Sequence, residues 1–117
     1  MRIRTTTSVI AALVTLTACS ADAATSYTVT NRAQDNRTGS ADLIWPDATK
    51  TQARDALTEY AAGLEDVDLY YLKVMHTEDA TTYVCRARWY RDAASFQAHT
   101  VGQTTPSSWP HLAVNCP

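Results

Sequence analysis

Two arginines and a tyrosine alternate along one short segment, and they are the residues best suited to bind a ligand. Arg86, Arg88 and Tyr90 occupy every second position of CRARWY, residues 85–90. Side chains two residues apart in a β-strand point to the same face, so a strand here presents both guanidinium groups together. Guanidinium groups bind carboxylates or phosphates bidentately. The favoured interpretation is nevertheless a solvent-facing stripe paired with nearby acidic residues, with an anion-binding face as the alternative.

Established catalytic and metal-binding motifs are missing from the sequence. The chain has no G-x-S-x-G, Walker, C-x-x-C or H-E-x-x-H pattern. The histidines His76, His99 and His111 lack the spacing of metal ligands. The sequence thus predicts no metal and no cofactor, and it favours binding over catalysis.

The start of the chain has the features of an export signal. Arg2 and Arg4 precede a short apolar segment, SVIAALVTL, and small residues follow it. The next four residues, LTAC at 16–19, resemble the bacterial lipobox. That resemblance implies a lipoprotein signal peptide over 1–18, a diacylglyceryl group on the Cys19 thiol, and anchoring to the cell membrane outside the cytoplasm.

A second cleavage site gives an alternative location. Ala21-Asp22-Ala23 matches the A-x-A pattern of ordinary signal peptides, and cleavage after Ala23 would secrete the protein without a lipid. The sequence leaves both sites open.

The remaining cysteines predict a disulfide. Export places Cys85 and Cys116 in an oxidising compartment, where two thiols usually pair. Lipidation would consume Cys19, the odd cysteine. A small domain needs such a cross-link, because its core alone stabilises it only marginally.

The charge balance disfavours nucleic acid as a partner. Removal of Arg2 and Arg4 with the leader leaves eight basic residues against twelve acidic ones, a net charge of −4. The chain also has no run of Lys or Arg. Neither nucleic acid nor an anionic lipid surface is therefore expected to attract the domain.

The chain divides into a predicted polar tether over 19–40 and a single domain over 41–117. ADLIW, residues 41–45, predicts a first strand that Pro46 ends. Residues 49–64 predict a helix, with Thr49 and Gln52 as a capping box and Gly63 as a left-handed cap. Residues 91–99 predict a second helix, capped by Asp92, and residues 111–114 a last short strand.

Residues 68–76 and 81–90 are rich in aromatic and β-branched residues and predict a hairpin. If Val74 faces Tyr83 and Leu72 faces Cys85, one face of the hairpin is a plain core face. That face consists of Tyr70, Leu72, Val74, Tyr83, Cys85, Ala87 and Trp89. The opposite face is mixed and is expected to meet water or a ligand. Its residues are Leu69, Tyr71, Lys73, Met75, Val84, Arg86, Arg88 and Tyr90.

From about Thr49 to His99 the predicted order is helix, strand, turn, strand and helix, and its last part contains Trp89, Ala93-Ala94, Phe96 and His99. This half of the chain resembles the antibiotic-biosynthesis-monooxygenase type of dimeric α+β barrel. In that family a strand ends in Trp, and a short helix follows with small residues, an aromatic or aliphatic residue, and His. The resemblance implies a ferredoxin-like β-α-β-β-α-β unit that dimerises through its sheet. It also implies oxygenase or haem-handling chemistry, with His99 and Trp89 as the candidate catalytic residues and haem as the cofactor.

These observations predict an α+β domain with a small antiparallel sheet, two helices on one face and one disulfide. The favoured function is that of a membrane-anchored lipoprotein whose domain binds a ligand or partner without catalysis. The alternative is a monooxygenase-like or haem-handling enzyme, acting as a homodimer. An inhibitor or immunity-type protein is a third possibility, since small exported domains with a disulfide often have such roles.

Overall fold

The computed structural model describes residues 26–117, which form a five-stranded mixed sheet and two helices. The predicted signal peptide, both cleavage sites and the lipid attachment at Cys19 lie outside the described residues. In chain order the elements are β1 (Thr28–Asp35), β2 (Thr38–Ile44), α1 (Lys50–Ala62), β3 (Leu69–Met75), β4 (Cys85–Tyr90), α2 (Ala93–His99) and β5 (His111–Asn115). The fold is therefore α+β, as the sequence predicts.

The first hairpin corrects the predicted tether. Residues 28–40, assigned to the tether, form β1 and the beginning of β2. The two strands pair antiparallel from Thr28 opposite Ile44 to Asp35 opposite Thr38. Backbone pairing, rather than an apolar side-chain pattern, holds this polar segment in the sheet.

Helix α1 begins and packs as its sequence predicts. The Thr49 side chain accepts a hydrogen bond from the Gln52 backbone, and the Gln52 side chain accepts one from the Thr49 backbone. The predicted stripe lies against the sheet, with Ala53, Ala56 and Leu57 buried. Gly63 ends the helix, but with φ −94° instead of the predicted left-handed conformation.

The central hairpin has the predicted faces in a shifted register. The structure pairs Val74 with Cys85 and Leu72 with Ala87, two residues from the predicted alignment. A two-residue shift preserves the face of every side chain, because the period of a strand is two. Tyr83 and Val84 are the exceptions, since Val84, predicted on the mixed face, packs against the main core. Because β4 begins only at Cys85, Tyr83 precedes the ladder, and its ring lies against Arg86 instead of in the core.

The two helices pack on opposite faces of the sheet, which corrects the prediction of one shared face. Helix α1 covers the main core, whereas α2 packs through Phe96 on Leu69 and Tyr90 of the other face. Phe96 lies edge-on to Tyr90, with ring centroids 5.0 Å apart. Because α2 is short, it covers only one end of that face.

The sheet is mixed, and the predicted ferredoxin-like order is not confirmed. Its strands lie in the order β1-β2-β3-β4-β5, and β2 runs parallel to β3. In a ferredoxin-like unit another strand separates the two strands that a crossover helix joins. Here α1 joins β2 and β3, which are direct neighbours.

The predicted disulfide is confirmed. Cys85 and Cys116 are bonded, with Cα atoms 4.2 Å apart. The bond fastens the chain after β5 to the beginning of β4, inside the main core. Among residues 26–117 no helix is long and apolar enough to span a membrane.

Candidate functional site

The sheet face left uncovered beyond α2 carries a cluster of cationic and aromatic side chains. Strand pairing sets Tyr71 opposite Arg88 and Lys73 opposite Arg86 on β3 and β4. The parallel neighbour β2 adds Asp42, which pairs with Lys73 in the ladder. We call Asp42, Tyr71, Lys73, Arg86 and Arg88 the open-face cluster.

Both arginines of the open-face cluster lie over tyrosine rings. The Arg88 guanidinium carbon is 5.6 Å from the centroid of Tyr71, and that of Arg86 is 5.4 Å from the centroid of Tyr83. A ring face attracts a cation and limits the motion of its side chain. The arginines are therefore held in place while their outer N–H groups remain exposed to solvent.

The acidic member of the cluster is already engaged. Asp42 lies 3.8 Å from the Lys73 ammonium and accepts a hydrogen bond of 2.9 Å from the Asn31 amide. In the described part of the chain, neither Arg86 nor Arg88 takes part in an ion pair. Within residues 26–117 the face thus has two guanidinium charges that no ion pair neutralises.

A bulge in β1 completes this site at its outer edge. The pairing of β1 with β2 shifts between Thr30 and Ala33, and Asn31 has a left-handed φ of 51°. The extra residue sends Asn31 toward Asp42 on the open face and Arg32 toward α1 on the other. Asparagine adopts this conformation more readily than most residues.

Two shallow cavities flank the arginines. One, of about 480 Å³, extends across β2, β3 and β4, and the other, of about 230 Å³, lies between β4 and β5. Arg86 and Arg88 line both cavities, so their side chains form a ridge between them. A larger cavity, of about 730 Å³, lies on the opposite side of the sheet between β1 and α1.

The structure brings together only some of the predicted site residues. Arg86 and Arg88 lie side by side, as predicted. Tyr90 lines the smaller cavity, but its ring is buried against Phe96. Trp89 lies in the main core on the α1 side, whereas His99 belongs to α2 on the other side, where its Nδ1 is 2.7 Å from the Ser95 carbonyl. The two candidate catalytic residues therefore do not share a pocket.

Sequence reasoning missed the part of the site that the first hairpin supplies. Asn31 and Asp42 border the larger open-face cavity. Asn31 fell in the predicted tether, and Asp42, in the predicted first strand, was not among the candidate site residues. Polar Thr38, Ser40 and Asp42 alternate with small or apolar Gly39, Ala41 and Leu43 along β2, and this alternation is the sequence signal that marks the strand. Over residues 26–117 the structure has no group of three or more potential ligands placed to hold a metal.

Comparisons with known proteins add no assignment. The chain matches no protein-family model, no curated protein and no solved structure. The function must therefore be argued from the site itself.

Proposed function

We propose that this protein is an exported bacterial lipoprotein whose non-catalytic domain binds an acidic segment of a protein partner. The observation that carries the proposal is the pair Arg86 and Arg88, held over tyrosine rings and unpaired among the described residues. Charges arranged in this way favour a ligand of opposite sign, because the partner need not displace an existing ion pair.

The spacing of the cations favours an extended peptide. Arg86 and Arg88 are two residues apart on β4, a separation of about 6.7 Å at the usual rise of a strand. Acidic side chains at alternate positions of an extended segment have the same spacing. The partner segment would lie along the arginine ridge and fill the depressions on both sides.

Charge disfavours a second copy of the chain on this face. Face-to-face pairing would bring Lys73, Arg86 and Arg88 close to the same residues of the other copy, with Asp42 as the acidic member of each cluster. Like charges at close range cost free energy, most of all when water is excluded. The oxygenase or haem-handling alternative has no comparable support, since Trp89 and His99 lie on opposite sides of the sheet.

Recognition through an edge strand is also disfavoured. The bulge at Asn31 interrupts β1, and β5 is a five-residue strand between Pro110 and Pro117. Bulges, prolines and short length are devices that keep sheet edges from pairing with other chains. The broad sheet face is therefore the better docking surface.

The arginines are tested by titrating the full-length protein with an oligoglutamate peptide. The double variant Arg86→Gln/Arg88→Gln should weaken binding about two- to thirtyfold, because each partly exposed ion pair contributes about 0.2–1 kcal/mol. Calorimetry at two salt concentrations should also give a smaller salt dependence for the variant.

Arg54→Gln is the matched control, since Arg54 is exposed on α1 and lies on the other side of the sheet. Equal affinity of the double variant and the control would contradict the proposal. If inorganic phosphate bound as tightly as the peptide, the ligand would be a small anion and the peptide-binding proposal would be wrong.

Lipidation is tested at Cys19. The Cys85–Cys116 bond supports export, because disulfides persist in oxidising compartments. We expect Cys19→Ala to release the protein from membranes or to accumulate its precursor, as detected by fractionation and blotting. Ala23→Tyr, which spoils the A-x-A site and spares Cys19, should leave membrane association unchanged. If Cys19→Ala had no effect and Ala23→Tyr accumulated the precursor, the protein would be secreted after cleavage at Ala23.

A further inference from the structure

The larger cavity on the helix side of the sheet has the composition of a second binding site. It is an open depression between β1 and the C-terminal half of α1, with a volume of about 730 Å³. We call it the tyrosine cleft, defined by Tyr27, Arg32, Glu59, Tyr60 and Tyr70. None of these residues belongs to the open-face cluster.

Hydrogen bonds hold the walls of the tyrosine cleft in place. The Tyr27 hydroxyl donates to a Glu59 carboxylate oxygen at 3.0 Å, which joins the start of the sheet to α1. The hydroxyls of Tyr60 and Tyr70 lie 3.1 Å apart and share a hydrogen bond. A cleft whose side chains are fixed in advance loses less conformational entropy when it binds a ligand.

The phenols of Tyr27 and Tyr70 remain protonated over the ordinary pH range. Burial, together with the hydrogen bond to Glu59, raises the pKa of Tyr27 to about 12. Burial also raises the pKa of Tyr70, and the hydrogen bond with Tyr60 adds to the effect. In the Tyr60–Tyr70 pair one proton joins the two oxygens, and the second can be donated to a ligand.

The tyrosine cleft carries both signs of charge, with one cation against two carboxylates. The Arg32 guanidinium lies 5.9 Å from the centroid of Tyr60, so a cation already occupies that ring face. Glu59 and Glu65 line the same cleft and carry the opposite charge. A cationic ligand would have to displace Arg32, and an anionic ligand would meet the two carboxylates.

A neutral ligand rich in hydroxyl groups fits these constraints. Each hydroxyl both donates and accepts hydrogen bonds, and the cleft offers carboxylate acceptors, a guanidinium donor and the Gln34 amide, which does both. Leu64 and the rings of Tyr27 and Tyr60, which are only partly buried, supply apolar surface for the C–H groups of such a ligand. We propose that the tyrosine cleft binds a neutral saccharide.

The proposal is tested with cellotriose, maltotriose and chitotriose on the full-length protein. Saturation-transfer NMR should show at least one of them in contact with tyrosine ring protons, and calorimetry should measure its affinity. Glu59→Gln retains the shape of the side chain but removes its charge, and it should weaken binding at least about fivefold, as loss of a charged hydrogen-bond acceptor does.

Glu78→Gln is the matched control, because Glu78 is exposed in the loop between β3 and β4, outside the cleft. Equal affinities of the two variants, or no binding of any of the three sugars, would overturn the proposal. The arginine variants of the open face should bind the sugar normally. A failure here is thus distinguishable from a failure of the peptide-binding proposal.

Discussion

Reduction of the Cys85–Cys116 disulfide is expected to lower the free energy of unfolding by about 3–4 kcal/mol. The bond closes a loop with a sequence separation of 31 residues, and a cross-link of that length removes this much loop entropy from the unfolded chain. For a domain of this size the melting temperature should fall by about 12–32 °C. Thermal unfolding followed by circular dichroism, with and without reductant, measures the effect.

The loss should be greatest at β5. That strand is at the edge of the sheet, pairs with β4, and contributes the partly buried Leu112 and Val114 to the core. Hydrogen exchange should therefore accelerate more at β5 amides than at β3 amides after reduction. Cys116→Ser is the matched variant: it should melt like the reduced protein and show no response to reductant. An oxidised protein no more stable than this variant would contradict the role assigned to the bond.

The elements with a strong side-chain pattern could be predicted from the sequence. The apolar stripe and capping box predict α1, and alternation along residues 69–75 and 85–90 predicts which side chains of the central hairpin enter the core. These predictions hold because burial of one face decides the local structure. The same alternation placed Arg86 and Arg88 together on the open face.

The first hairpin could not be predicted in this way. Seven of the eight residues of β1 are polar or small, since Val29 is its one large apolar residue. The strand exists because its backbone pairs with β2, and a side-chain pattern does not record that pairing. Because β1 was assigned to the tether, Asn31 and Arg32 were not recognised as site residues, and the tyrosine cleft was not predicted.

The side of the sheet taken by α2 was also beyond sequence reasoning. This helix has seven residues, and Phe96 is its one large apolar side chain, so its pattern defines no clear face. Contact with Leu69 and Tyr90 decides the matter, and those residues are distant in sequence or in the preceding strand. The position of His99, and with it the separation from Trp89, follows from that contact.

Gly39→Ala is expected to destabilise the protein by about 1–3 kcal/mol, the usual cost of overpacking a core. Gly39 is buried in β2, where its missing side chain makes room for the Tyr70 ring. An added Cβ would lie 2.6 Å from Cδ2 of Tyr70 and closer still to Cε2. The ring cannot move aside easily, because Tyr70 is only 6 % exposed and its hydroxyl is hydrogen-bonded to that of Tyr60. Urea unfolding measures the change.

Gly63→Ala provides the control, since a Cβ at Gly63 would meet its nearest neighbour at 3.7 Å with φ at −94°. That substitution should be neutral or stabilise by up to about 1 kcal/mol, because alanine has less backbone entropy to lose on folding. In a Tyr70→Leu background the cost of Gly39→Ala should largely disappear, since the clashing ring atoms are gone. If Gly39→Ala lowered the free energy of unfolding equally in the Tyr70→Leu background, the clash would be with the Ala33 carbonyl oxygen, 3.3 Å from the added Cβ.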